Sequence, residues 1–379
     1  MQDHTESSNR LKRYLELDPD NLQLLDELIV HSIHLKDYLS AKQYLDQGIA
    51  LDGNHSVFLF RAAQLEIIGG EYQQAVVSFR QLIPRDEIEL LARYELARLS
   101  LMIDDLDLAQ ELYLPHIDRI TESYPYVAKV TAQVWHHLGE LSNAIDVLET
   151  HLISFPDDYE AISHCSLLWA DREEYQRAKE LANVVLASDY SGLNAHLSLG
   201  TIALADADLS LAEESFSKAR QVSEGSGRAW VGLGLIHMAR QDIAAACSLL
   251  AKGVQLMPNY IGAWHALAWC CITQKNFEEA RSCFNKAIEI DSRFAESYGG
   301  LAVILALEGD DDQASKLIRK TLRLNSASFS APYAQAILAA NSGDSSNASS
   351  IVEGLLAQDI NGDGKSLLTS LNELAGKGR

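Results

Sequence analysis

The sequence predicts an all-α fold, a solenoid of repeated helix-turn-helix pairs, and three observations carry that prediction. Alanine returns at Ala41, Ala75, Ala109, Ala144, Ala178, Ala212, Ala246, Ala280, Ala314 and Ala348, in steps of 34 residues with a single step of 35 between Ala109 and Ala144. A period of this length marks stacked two-helix units, each of which buries its apolar face only against its neighbours. Twelve residues before the alanine stands a small residue, at Ala63, Ala97, Ala132, Ser166, Gly200, Gly234, Ala268, Ala302 and Ala336, with Ile29 the exception. Large apolar side chains sit one residue before that small position, as at Leu96, Leu233 and Leu267, and four residues after the alanine, as at Leu45, Phe79, Tyr113, Phe216, Leu250 and Phe284. These offsets lie on one stripe of a helix.

Each segment follows from that register. Residues 1–9 are polar and are expected to be disordered. Residues 10–21 hold Leu11, Tyr14 and Pro19 at the places of a second helix without its first, a half repeat that caps the array. Ten full repeats occupy residues 22–362 and begin at Leu22, Ser56, Leu90, Pro125, Tyr159, Leu193, Gly227, Ile261, Ala295 and Phe329. Their small positions are where helices cross, and added methylenes there cost about 1–3 kcal/mol in overpacking. Pro19, Pro156 and Pro258 fall at repeat junctions, where proline stops a helix without breaking one. The last repeat departs from the pattern with Pro332 and Gln335 at positions that are elsewhere apolar. Residues 363–379 are expected to form a capping helix and tail, with Leu367, Leu368, Leu371 and Leu374 on one side of a helix over 365–375. No linker-like composition interrupts the period, so one continuous array is predicted.

The repeat can be compared with known families through its sharpest copies. Trp230, Leu233, Gly234, Ala246 and Pro258 in one, and Trp264, Leu267, Ala268, Phe277, Ala280, Phe284 and Ala287 in the next, resemble the tetratricopeptide repeat. The resemblance covers about nine-tenths of the chain by period. Arg93 and Ala128 depart from it, standing where the family has its first aromatic residue. It implies a right-handed superhelical solenoid whose first helices line a concave groove, with the second, fifth, ninth and twelfth residue of each pointing into it. Read that way, the groove presents Arg98 and Lys129 early in the chain and Leu197, Val231, Leu235, Met238, His265, Trp269, Val303 and Tyr333 later. A clamp for an acidic C-terminal peptide is disfavoured, since the two cations fall in different repeats without accompanying asparagines. An apolar or amphipathic segment laid along the later residues fits better. The competing account is that these side chains pack against adjoining helices.

Composition narrows the partners. With 31 basic against 53 acidic residues the formal net charge is −22, which argues against a nucleic-acid partner, since counterion release needs clustered Lys and Arg. Cys165, Cys247, Cys270, Cys271 and Cys283 are too irregular for a disulfide framework and read as small core residues of a reducing compartment. No leader opens the chain and no apolar run is long enough to insert into a membrane. A cytoplasmic location is therefore expected, or a periplasmic one if an N-terminal leader has been removed.

No residues assemble into a catalytic motif, so no enzyme activity and no cofactor is predicted. His31 with His34, and His136 with His137, lack the cysteine or carboxylate partners of a zinc pattern. Asp359, Asn361, Asp363 and Gly364 match the opening of a calcium loop, but Leu367 and Ser370 stand at the ninth and twelfth positions, the latter where a bidentate acid is needed.

The leading functional reading is a non-catalytic scaffold that binds a protein or peptide, as a chaperone or assembly factor of a bacterial secretion, pilus or envelope system. Two alternatives remain: a periplasmic scaffold for polysaccharide export, and the regulatory arm of an enzyme whose catalytic domain lies outside this chain. Because the loop at Asp359 lacks its closing acid, millimolar calcium is expected to leave the melting temperature unchanged. A rise in melting temperature that Asp363→Ala abolishes would show a specific site after all.

Overall fold

In the computed structural model, residues 2–357 are described, and among them only helices and short turns occur. A first helix, α1 (Gln2–Leu17), precedes the repeats. The first two pairs are α2 (Leu22–His34) with α3 (Tyr38–Leu51) and α4 (Ser56–Ile68) with α5 (Tyr72–Leu82). Then come α6 (Glu89–Ile103), α7 (Leu106–Leu112) and α8 (Ile117–Ser123), followed by the pair α9 (Ala128–His137) and α10 (Leu141–Ser154). Six regular pairs follow: α11 (Tyr159–Asp171) with α12 (Tyr175–Leu186), α13 (Leu193–Ala205) with α14 (Leu209–Val222), and α15 (Gly227–Ala239) with α16 (Ile243–Leu256). The last three are α17 (Ile261–Thr273) with α18 (Phe277–Ile290), α19 (Ala295–Glu308) with α20 (Asp311–Leu324), and α21 (Ser330–Asn341) with α22 (Ser345–Leu356). The expected capping helix over 365–375 and the acidic loop at Asp359 lie outside the described residues.

One expectation is corrected. Residues 2–9 are helical, not disordered, because they extend α1 beyond the turn that Leu11 and Leu15 anchor against the first pair, and adding a residue to an existing helix costs far less than nucleating one. By its internal contacts the chain divides into two compact units, Met1–Asp157 and Asp158–Arg379. The division falls after Pro156, at the junction of the fourth and fifth repeats. Contacts in a solenoid are made repeat to repeat, so a division can fall at any junction without disturbing the period that the sequence displays.

The period itself is written in the turns. In all ten repeats the fifteenth residue adopts a left-handed conformation: Lys36, Gly70, Asp104, Gly139, Glu173, Ala207, Gln241, Lys275, Gly309 and Gly343. The residue after it donates its backbone N–H back to the eleventh residue's carbonyl at 2.8–2.9 Å, as in Asp37 to Ser32 and Asp310 to Leu305. This closes the first helix as a Schellman turn. The same residue then opens the second helix. Asp37, Asp105, Asp208, Asp242, Asn276, Asp310 and Asp344 each accept a side-chain hydrogen bond from the backbone N–H three residues on.

The third repeat breaks this regularity. Pro115 has no N–H to continue α7 and its ring collides with the preceding turn, so the second helix splits into α7, a 3-10 turn over Leu114–His116, and α8. The break leaves the Leu112 carbonyl at the end of α7 to be satisfied from outside the helix. Arg93 donates to it at 2.7 Å while Glu89 holds the Arg93 Nε at 2.9 Å. The residue that departs from the repeat's aromatic position thus answers the helix break.

Packing follows the alanine register. The alanines from Ala41 to Ala314 are fully buried, and the last, Ala348, is half-buried. Into the gap that small residues leave, a large side chain from the second helix is driven against the next repeat. Phe216 sits between Gly200 of its own repeat and Gly232 of the next, where added Cβ atoms would come within 2.8 and 2.6 Å of its ring. A Cβ on Gly300 would approach the Phe284 ring to 2.2 Å. Trp264 is half-buried and donates its indole N–H to the Pro258 carbonyl at 2.7 Å, so it seals the preceding turn while packing against the edge of the inter-repeat core.

First helices of successive repeats also bond directly. Ser163 accepts from the Ala195 backbone N–H at 3.0 Å, Ser198 donates to the Ser166 carbonyl at 3.0 Å, and the His265 Nε2 meets the Ser297 hydroxyl at 2.8 Å. The His265 ring stands edge-on to Phe284 and Phe294. Its burial there depresses its pKa to about 4, against which Glu296 pulls only weakly upward.

Two outcomes follow. Gly300→Ala is expected to destabilise the array by about 1–2 kcal/mol, because overpacking against Phe284 outweighs the gain in helix propensity of at most about 1 kcal/mol; thermal melting would register it. His265 is neutral in the native state but takes up a proton near pH 6.5 when unfolded. The stability tied to its neutral form is complete above that pH and is lost as pH falls through about 4. His265→Gln should therefore lose melting temperature less steeply than wild type between pH 7 and pH 4, and equal slopes would show that His265 does not contribute.

Candidate functional site

Arg98 and Lys129 belong to the first unit and the other eight candidate groove residues to the second. In the first unit the first-helix face is occupied by a chain of polar contacts. Asp26 takes Arg61 in two bonds of 2.7 and 3.2 Å, Arg61 donates to Gln64 at 2.9 Å, Gln64 to Glu95 at 3.1 Å, and Arg98 to Glu95 at 2.7 Å. Glu95 is buried, whereas Arg98 is exposed at the end of the chain. Its guanidinium is thus committed to a carboxylate of its own helix. Tyr94 lies edge-on to the exposed Tyr126, and burial raises the Tyr94 pKa with Arg98 and Lys129 acting against it. Lys129 is half-buried.

In the second unit the candidates separate into two sets. Leu197, Val231 and Val303 are buried at 4, 6 and 0% exposure, and they pack in the core where the family rule expected groove positions. The reason is the close approach of neighbouring helices. Val231 stands 2.6 Å from where a Cβ of Gly253 on the second helix of its own repeat would be, and Val303 joins a core with Ala302, Ile318 and, from the next first helix, Ala331 and Ala334. His265 is likewise taken up by Ser297 and two phenylalanine rings. Leu235, at 37%, is the most exposed of the set, and Met238, Trp269 and Tyr333 are half-buried.

Trp269 connects these residues. It packs against the same core as Met238, faces Phe284 edge-on at 6.1 Å, and meets Tyr333 of α21 at 6.2 Å. It therefore joins two core clusters as well as fringing the first-helix face. Tyr333 also lines an open concavity of about 450 Å³ with Ala336, Ile337, Ala340, Ala348, Ser349, Val352 and Glu353, between α21 and α22. A row of half-buried to exposed apolar side chains from successive first helices can hold an apolar stripe of another chain, and it offers no nucleophile or base positioned on a substrate.

One further contact on this face escapes a reading by repeat position. Arg228 at the second position of the seventh repeat makes a bidentate pair with Asp171 of the fifth, one bond at 2.9 Å and one shorter, passing α13 between them. Two parallel N–H···O bonds make this among the stronger ion-pair geometries. Its signal in the sequence is a separation of 57 residues, which matches no period. The Asp26–Arg61 pair, spaced by 35 residues, is closer to the repeat length and could be found by comparing neighbouring copies.

Two models of the tetratricopeptide repeat match the chain, over residues 197–261 and 237–298. A search of curated protein sequences returns no match. Among solved structures, the chain is similar to YrrB, described as a tetratricopeptide-repeat protein with an unusual peptide-binding site, at 20% identity over 50% of this chain and 97% of that one, with a TM-score of 0.40. PilF of Pseudomonas aeruginosa is 18% identical over 55% of this chain and 95% of its own, with a TM-score of 0.46. MamA is 18% identical over 45% and 93%, with a TM-score of 0.32. Residues 197–298 therefore match the tetratricopeptide repeat, and ten helix-turn-helix units share one turn geometry through the described residues.

Proposed function

We propose that this protein-interaction scaffold holds an apolar or amphipathic segment of a partner protein on the first-helix face of its second unit. The observation that carries the reading is the contrast between the units. The first-helix face of the first unit satisfies its own polar groups from Asp26 through Arg98, whereas that of the second leaves Leu235, Met238, Trp269 and Tyr333 partly in water. Side chains of this size spaced along a face suit the i, i+3, i+4 stripe of an amphipathic helix. The partner class we favour is a component of a bacterial secretion, pilus or envelope system, with this chain as its cytoplasmic chaperone or assembly factor. No catalytic role is assigned to it.

The test uses a side chain that the core does not need. Leu235→Glu in the full chain should weaken a co-purifying partner by at least tenfold, about 1.4 kcal/mol, with helicity and melting temperature unchanged. Unchanged binding by the folded variant would remove this face from recognition. Trp269→Ala, by contrast, should lower stability by about 3 kcal/mol, since a large aromatic that joins two clusters leaves a cavity when it is truncated.

A further inference from the structure

Four of the five cysteines meet at one place, across the junction of the seventh and eighth repeats. Cys270, Cys271 and Cys283 are buried in one core cluster, and Cys247 on α16 packs against it while remaining half exposed. Cys247 reaches the Gln274 amide oxygen with its thiol at 3.6 Å. Two thiols of α17 lie within its reach, Cys270 and Cys271. Ala263, Leu267, Cys270 and the C-cap Gln274 fall at steps of four, three and four residues on one stripe of α17, the stripe that Cys247 touches at Gln274. Cys271 lies about 100° further round, shared between Cys247 and Cys283 of α18. Cys270 is thus the thiol on the stripe that Cys247 contacts.

We propose that Cys247 and Cys270 are a redox pair, which a hydroperoxide converts to a disulfide tying α16 to α17. The steps balance. The Cys247 sulfur attacks one peroxide oxygen, giving a sulfenic acid while the other oxygen leaves as alcohol or water. The Cys270 sulfur then displaces the hydroxyl of that sulfenic acid, and its proton departs with the hydroxyl as water. Access decides the order, since Cys247 is reachable from solvent and Cys270 is fully buried. Burial, with the adjoining Cys247, holds the Cys270 thiol up at about 12, so closure is governed by its thiolate fraction. Cys271 and Cys283 are likewise buried and pushed to about 12, so what leaves them reduced is their place off the stripe that Cys247 touches.

The experiment treats the full reduced chain with a pulse of hydrogen peroxide, alkylates remaining thiols after denaturation, and maps peptides by fragmenting mass spectrometry. The expected product joins Cys247 to Cys270, leaves Cys271 and Cys283 alkylated, and closes about tenfold faster for each pH unit from near neutral upward. Cys271→Ala should close like wild type, and Cys270→Ala should halt at oxidised Cys247. The fragmentation map of the wild-type chain stands by itself if a variant fails to fold, as circular dichroism would show. A cross-link at Cys271, Cys247 carried to sulfinic acid without cross-linking, or no thiol lost would each overturn the pairing.

Discussion

The close approach of helices at the small positions is the constraint on which the rest of this structure depends. With Ala41 to Ala314 fully buried, the two helices of each repeat approach closely, and the space between repeats is then too narrow for two large side chains to meet. One large residue from the second helix fills it alone, Phe216 against two glycines and Phe284 against Gly300. Interiors at crystal-like density transmit such restrictions directly. The fifth residue of each first helix is drawn toward the next helix by the same approach, which is why Ser163 and His265 bond across the junction and Val231 presses on Gly253. What the groove rule of the family treats as surface, this chain has partly spent on packing.

The turns show how much local chemistry a fixed period demands. Six of the ten left-handed positions are not glycine, although an L side chain there costs about 1–2 kcal/mol. The compensation is local: the following residue both closes one helix and, where it is Asp or Asn, caps the next. Where it is Glu71, Glu140 or Glu174, no side-chain cap forms, since the longer carboxylate does not fold back onto the helix start. The Pro115 break is compensated in the same local manner by Arg93, which ties a charge-assisted bond to the freed carbonyl.

The architecture was legible because a solenoid repeats its constraints. Ala246 and Ala280 announce their crossings in the primary sequence, and every repeat starts within a few residues of where the alanine register puts it. The left-handed turn at the fifteenth residue was equally periodic but hidden, since its residue type varies from Lys36 to Gly343 while its backbone does not. The site was less legible for a physical reason: a side chain's exposure depends on how closely neighbouring helices pack, which period alone does not encode. Val303 and Leu235 both occupy the ninth position, yet one is fully buried and the other is the most exposed of the second unit's candidates.

Under the proposed reading, that difference at one repeat position decides where a partner would bind. A partner gains by covering apolar surface that is in water before binding, so Val303 has nothing left to contribute, while Leu235 and the free margins of Met238, Trp269 and Tyr333 do. The polar chain from Asp26 to Arg98 works in the opposite sense, because a ligand would have to break hydrogen bonds already made in order to form its own. Charge adds to the asymmetry. In a chain of net charge −22, cations bound to internal carboxylates are poor anchors for an acidic ligand, which leaves apolar contact as the stronger source of affinity. A partner that binds the second unit by apolar contact should then be insensitive to salt, the opposite of what an ionic groove would give.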